Sequence, residues 1–208
     1  MDQSQTYSDV CDSSILDLEE LTLGVDGESA FQLDGSLELN NRYAIDRLRL
    51  EEENQIAELM KRNLGLHEEG SEIPEVTYRR IEGLYDFYNQ PGGGYFVLRD
   101  VTDRTPIGGV GLAPLAELPP SEGLLEIRDL IIYKPYRRLG FGGMLLRYCL
   151  KVAALEGYKR VYLETTPQMQ NAQSFFERYG FTPVVSKSQK VEKGERQIPS
   201  YYMRCLEL

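Results

Sequence analysis

The stretch R137-R-L-G-F-G-G-M-L-L146 places two arginines and three glycines directly before a leucine-rich helical run. Glycine lets a backbone come close to a ligand because no Cβ intervenes. The first amides of a helix have no intrahelical partner, and the helix dipole favours negative charge at that end. Arginines beside such amides add charge-assisted contacts. The stretch therefore reads as an anion cradle, most simply one for phosphate.

Working outward, the preceding segment LLEIRDLIIY (124–133) is a β-branched strand, and the helix after the cradle runs to about Gly157. KRVYLET (159–165) is the next strand. TPQMQNAQSFFERYG (166–180) is a helix with Pro167 in its first turn and Gly180 as its stop. Upstream, RYAIDRLRL (42–50) alternates as a strand, EEENQIAELMKRNLGL (51–66) carries a helical apolar stripe, and VTYRRIEGLYDFYNQ (76–90) reads as a second helix. GYFVLRD and PIGGVGLAPL form a hairpin, and FTPVVS and YYMRCLEL close the chain as a strand pair. This order predicts an α/β (α+β layered) domain with a mixed sheet.

The chain has 208 residues, of which 41% are apolar and 27% charged, enough for one domain with its own core. No apolar run approaches the length of a membrane span, and the N-terminus lacks the pattern of a secretory signal. Cys11, Cys149 and Cys205 are odd in number and widely spaced, resembling neither a disulfide framework nor a zinc pattern. A cytoplasmic location and no metal are expected. The net charge of −10 is local: residues 1–41 hold ten acids and no Lys or Arg, while residues 42–208 balance 23 acids against 23 bases. Residues 1–41 are thus read as an acidic N-terminal extension, able to dock through ILDLEELTL or AFQL, and 42–208 as the functional domain. A neutral body with an acidic arm argues against nucleic acid as a partner.

Which phosphate compound fits is decided by flanking residues. The ATP-type P-loop string is absent. A dinucleotide fingerprint lacks its third glycine, since Leu145 stands there, although Glu164 falls near the place of the ribose-binding acid. Arg137-x-x-Gly140-x-Gly142 instead resembles the acetyl-CoA loop of the GNAT superfamily of N-acetyltransferases. The strand LEIRDLIIY before it and YLETTPQMQNAQSFFERYGF after it resemble the family's neighbouring elements in the same order.

The resemblance implies a mixed, centrally splayed sheet of about seven strands flanked by about four helices. It implies acetyl-CoA as cosubstrate, with Arg137, Arg138, Leu139, Gly140, Phe141, Gly142 and Gly143 at the pyrophosphate. Leu130, Ile131 and Ile132 would pair with the pantetheine arm, one of their amides holding the thioester oxygen. Phe176 would lie beside the thiol, in the place where many members carry a proton-donating tyrosine; phenylalanine cannot donate. Tyr179, one turn on, is a substitute acid or a core ring. Glu126, eleven residues before Arg137, falls where histone-type members carry a general base. An orienting carboxylate is the plainer reading, and Asp129 and Glu164 remain alternatives. Asp129 points to the opposite face unless a bulge intervenes.

The expected reaction is acetyl transfer to a primary amine by direct attack in a ternary complex. The expected partner is a small-molecule or peptide amine, with no nucleic acid and no membrane, and a homodimer is allowed for. The loop LHEEGSEIPE (66–75), with Glu68, Glu69, Glu72 and Glu75, is either an attractive border for a cationic amine or a solvated connection; His67 is read as surface. Tyr78, Tyr85, Phe87 and Tyr88 either wall the acceptor pocket or fill the core. A non-catalytic acyl-CoA-binding or sensing module is the competing function, encouraged by Phe176.

Overall fold

The structure is a computed structural model that describes residues 30–31, 37–39, 42–65, 75–115, 123–165, 170–184 and 200–206. Its strands are β1 (Ala30–Phe31), β2 (Leu37–Leu39), β3 (Tyr43–Arg47), β4 (Gly94–Asp100), β5 (Pro106–Pro114), β6 (Leu124–Ile132), β7 (Arg160–Thr165), β8 (Thr182–Val184) and β9 (Ser200–Cys205). The helices are α1 (Glu53–Asn63), α2 (Glu75–Glu82), α3 (Leu84–Tyr88), α4 (Phe141–Leu155) and α5 (Gln170–Arg178). One sheet holds all nine strands in the order β1-β2-β3-β4-β5-β6-β7-β9-β8. Every neighbouring pair is antiparallel except β6 and β7.

The seven strands expected from Tyr43 onward are all present. β1 and β2 lie within the acidic segment and add to the β3 edge, Leu37 opposite Ile45 and Leu39 opposite Tyr43. The second expected helix is divided at Gly83, which gives five helices among the described residues where about four were expected.

Alternation along the strands sorts side chains to two faces. On β4, Phe96 and Leu98 join the core under α4 and α5, while Tyr95 and Val97 join the core under α1, α2 and α3. α4 is buried through Leu145, Leu146, Cys149, Leu150 and Ala153, recurring at helical spacing, and this seats its N-terminus at the end of β6. Cys149 is buried with a free thiol, and burial pushes its pKa up. Arg99, 2% exposed, reaches Asp46 at 3.0 Å and Glu52 at 2.6 Å, tying β4 to β3 and to the 3-10 turn before α1. No helix among the described residues is long and apolar enough to cross a membrane.

Candidate functional site

β6 and β7 run side by side only from Leu124↔Arg160 to Ile127↔Leu163. Beyond Ile127 no further pairing joins them among the described residues, so the two parallel strands part. The opening leads into a groove of about 1700 Å³ lined by Leu130, Ile131 and Ile132 on one side and by Arg137, Arg138, Gly140, Gly142 and Gly143 at its end. α5 contributes Phe175, Arg178 and, just past its end, Tyr179; Asn63 and Leu64 come from the end of α1.

The cradle owes its shape to two left-handed residues. Arg138 has φ 64° and Gly140 φ 87°, and Gly140 caps α4, its carbonyl accepting from the Met144 amide at 3.2 Å. That is the first bond of the helix, so the amides of Phe141, Gly142 and Gly143 have no intrahelical acceptor. Alternating backbone hands before a helix start form a concavity of N–H groups suited to an anion. A Cβ on Gly142 would meet Ile132 and Phe175 at 3.7 Å, ordinary contact, so the chain itself does not require glycine there. A Cβ on Gly143 would overlap the Tyr179 hydroxyl.

Arg137 braces the cradle. Its Nε donates to the Ile132 carbonyl and its Nη2 to Asn63 Oδ1, both at 2.9 Å, joining the end of β6 to the end of α1. Arg138 and Arg178 are exposed on the groove wall and supply positive charge. Three expected contact residues turn their side chains away from the groove. Leu139 is 64% exposed and faces solvent, so only its backbone is available to the cradle. Phe141 is buried and meets Tyr43 edge-on at 5.0 Å. Phe176 is buried against Phe175 and Phe181 and does not line the groove. The aromatic residues that this helix end brings to the groove are Phe175 and Tyr179, an i, i+4 pair on one helical stripe. The Tyr179 hydroxyl accepts from Arg147 Nη1 at 3.2 Å.

Glu126 is 2% exposed on β6, opposite Ala113 of β5 and Tyr162 of β7. It pairs with Arg128, whose side chain is 30% exposed. Burial pushes the Glu126 carboxyl above its ordinary value; Arg128 pulls it back and the charge of Glu164 adds to the rise. Glu164, exposed on β7, accepts from the Tyr162 hydroxyl at 2.8 Å. Asp129 is fully engaged, accepting from Arg80 through both oxygens at 2.9 Å and from Tyr88 at 2.5 Å. This bidentate pairing leaves it no free role as a base.

Sequence reasoning did not single out Phe175, Arg178, Asn63 or Arg80 at all. For Phe175 and Tyr179 the helical period carried the signal. Asn63 and Arg80 gave none, because they reach the site from distant segments. Of the acceptor-side residues, His67, Glu68, Glu69 and Glu72 lie outside the described residues, as does Pro167. Glu75 is exposed and accepts from Arg79 at 2.9 Å. Tyr88 is buried in the core, Tyr85 is partly buried against it, and Tyr78 and Phe87 are exposed.

Known proteins share this fold. An acetyltransferase of the GNAT family from Staphylococcus aureus Mu50 superposes with a TM-score of 0.64 at 18% identity, covering 79% of this chain and 99% of that one. A spermidine N-acetyltransferase from Vibrio cholerae, solved with CoA and spermine, gives 0.59 at 20% identity, covering 80% and 96%. At such identities the likeness is one of fold. In sequence the chain is 30% identical over 106 residues to the uncharacterized N-acetyltransferase YjgM of Escherichia coli K12, covering 51% of this chain. The matched region spans 61% of that relative's length. The profile of the acetyltransferase (GNAT) family matches residues 55–181, from α1 through the cradle to the end of α5, and the chain belongs to that family.

Proposed function

We propose that the protein transfers an acetyl group from acetyl-CoA to a primary amine. The observation that carries this reading is the parting of β6 from β7 into a groove that ends on the α4 cradle. A long thioester laid there would set its pyrophosphate on the amides of residues 141–143 with Arg138 and Arg178 nearby. Its acyl end would lie along Leu130–Ile132. The cradle fits the group on its own chemistry: unpaired amides, positive charge and an open Gly142.

The step is direct attack in a ternary complex. The amine nitrogen forms a bond to the thioester carbonyl carbon, a backbone amide of Leu130–Ile132 holds the oxyanion, and the C–S bond breaks to release the thiolate. Glu126 takes the amine proton, directly or through water. Burial favours this role, since it raises the carboxyl toward the working pH. Phe176 supplies no acid, and protonation of the thiolate falls to water or to Tyr179, which lines the groove.

The catalytic unit is residues 42–208, with residues 1–41 as an accessory extension, and its place is the cytoplasm, where acetyl-CoA is supplied. The acceptor is a small-molecule or peptide amine. Spermidine is the named substrate of one structural neighbour, and polyamines therefore belong in the first panel alongside amino acids, aminoglycosides and peptides. Incubation with acetyl-CoA and that panel, following free CoA thiol, tests the reading. Release that depends on one amine class supports it. CoA binding without release from any amine would favour the sensing module.

A further inference from the structure

β6 is interrupted at the residues that line the groove. Its register against β5 runs from Pro114↔Leu125 to Gly111↔Arg128 and resumes at Gly109↔Ile131. Asp129 and Leu130 therefore stand opposite the single residue Val110, which is a β-bulge. Asp129 has φ 51°, the only left-handed non-glycine residue within a described strand, and such a backbone persists only when its surroundings hold it.

The bulge reverses every face after it. In an uninterrupted strand Ile131 would follow Leu125 and Ile127 to the α4 side, and Leu130 would follow Glu126 to the other. The structure shows the opposite: Ile131 packs in the core under α1–α3, while Leu130 and Ile132 pack toward α4. What holds the reversal is Asp129. Its carboxylate takes two bonds from Arg80 of α2 and one from the hydroxyl of Tyr88, the last residue of α3. Tyr88 lies against β5 because Gly111 has no side chain; a Cβ there would overlap its ring. Gly109 likewise makes room for Tyr95. Arg80 and Asp129 are almost wholly buried, their side chains 13% and 10% exposed.

We propose that Arg80, Tyr88 and Asp129 form a clamp that fixes the β6 bulge, so that the backbone from Leu130 to Ile132 meets the thioester carbonyl in the correct register. The proposal rests on the acetyl-transfer reading above. None of the three touches the reacting atoms, so they are positioning residues. They also join the bulge to α2 and α3, the helices that follow the segment between α1 and α2.

Tyr88→Phe keeps the ring and removes one bond. Asp129→Asn keeps shape and tolerance of the left-handed backbone but loses the charge that faces Arg80. Each variant is measured for thermal stability, for CoA binding by calorimetry, and for kcat and KM with acetyl-CoA and the best amine. CoA has the whole handle but no acyl carbonyl. Displacing the donor should therefore lower kcat about 10- to 100-fold in Asp129→Asn, and less in Tyr88→Phe, with CoA affinity within about twofold of wild type. Unchanged kcat in both variants overturns the clamp. A loss of CoA affinity that tracks thermal stability, with kcat per folded molecule preserved, also overturns it by showing a structural brace alone. Should Asp129→Asn not fold, Tyr88→Phe decides by the same split. A wild-type protein that does not bind CoA overturns the acetyl-transfer reading itself, and the clamp with it.

Discussion

Replacing Glu126 by Gln separates a buried base from a buried structural carboxylate, because the two roles move stability and rate in different directions. Glutamine keeps the shape but cannot take a proton. If Glu126 is the base, turnover near pH 7 falls about 10²- to 10⁴-fold, or roughly 3–5 kcal/mol of barrier. The loss shrinks as pH rises, since more of the amine then arrives neutral. Stability has the opposite sign. The folded carboxyl has its pKa raised by burial, so its contribution to stability is fully present below the unfolded pKa and is lost as pH rises through the folded one. Wherever Glu126 is ionised, its charge is therefore a net cost of its buried place, and Gln removes that cost. Arg128 loses a partner, but its side chain is 30% exposed and can turn to water. The variant should melt at or above the wild-type temperature near pH 7, with the gap closing in acid as the wild-type carboxyl protonates. Release of CoA thiol, measured with the best amine from neutral to alkaline pH beside thermal melts, reads both. Unchanged turnover removes Glu126 from the mechanism and turns the search to Glu164 or water. Loss of rate together with a lower melting temperature at pH 7 would show that the carboxylate holds the sheet together.

Gly142→Val should abolish CoA binding, expected near micromolar or about −8 kcal/mol in the wild type, while thermal stability changes little, because a Cβ there meets only ordinary contacts; calorimetry and a melt check both. Phe176→Tyr places a hydroxyl in the core beside Phe175 and Phe181, and should cost about 1–3 kcal/mol by chemical denaturation with no gain in rate. Tyr179→Phe should fold normally and raise KM for acetyl-CoA a few-fold, whereas a selective loss of kcat would identify it as the acid. Arg99→Ala leaves Asp46 and Glu52 without their buried partner and should cost about 3–5 kcal/mol, read from the denaturation midpoint. Deleting residues 1–41 removes only β1 and β2 from the described sheet, and the remainder should still bind acetyl-CoA.

The cradle was legible because its determinants are contiguous. Two glycines and two arginines at a strand-to-helix junction act through backbone amides, and the order of elements around them follows from local periodicity. Helix α5 was half legible. Likeness to relatives put Phe176 at the cofactor, yet in FFERYGF the i, i+4 stripe joins Phe175 to Tyr179, and the neighbouring stripe carries Phe176 into the core. A turn of about 100° per residue separates them, so reasoning by motif position alone picked the wrong face.

The bulge in β6 shows where a sequence read in one dimension stops. LLEIRDLIIY has unbroken strand character, and nothing inside it asks for an extra residue at Asp129. The causes lie about 20 and about 35–50 residues away in the chain. Gly109 and Gly111 on β5 leave space above the sheet, Tyr95 and Tyr88 fill it, and the Tyr88 hydroxyl with Arg80 then takes hold of Asp129. The glycines of PIGGVGLAP are thus what allows a helix side chain to reach across one strand and set the register of the next. Phe176 was named from likeness and does not line the groove, whereas Leu130, Ile131 and Ile132 were named and do. The reason they face it is a contact among three segments, and only the folded chain brings those together.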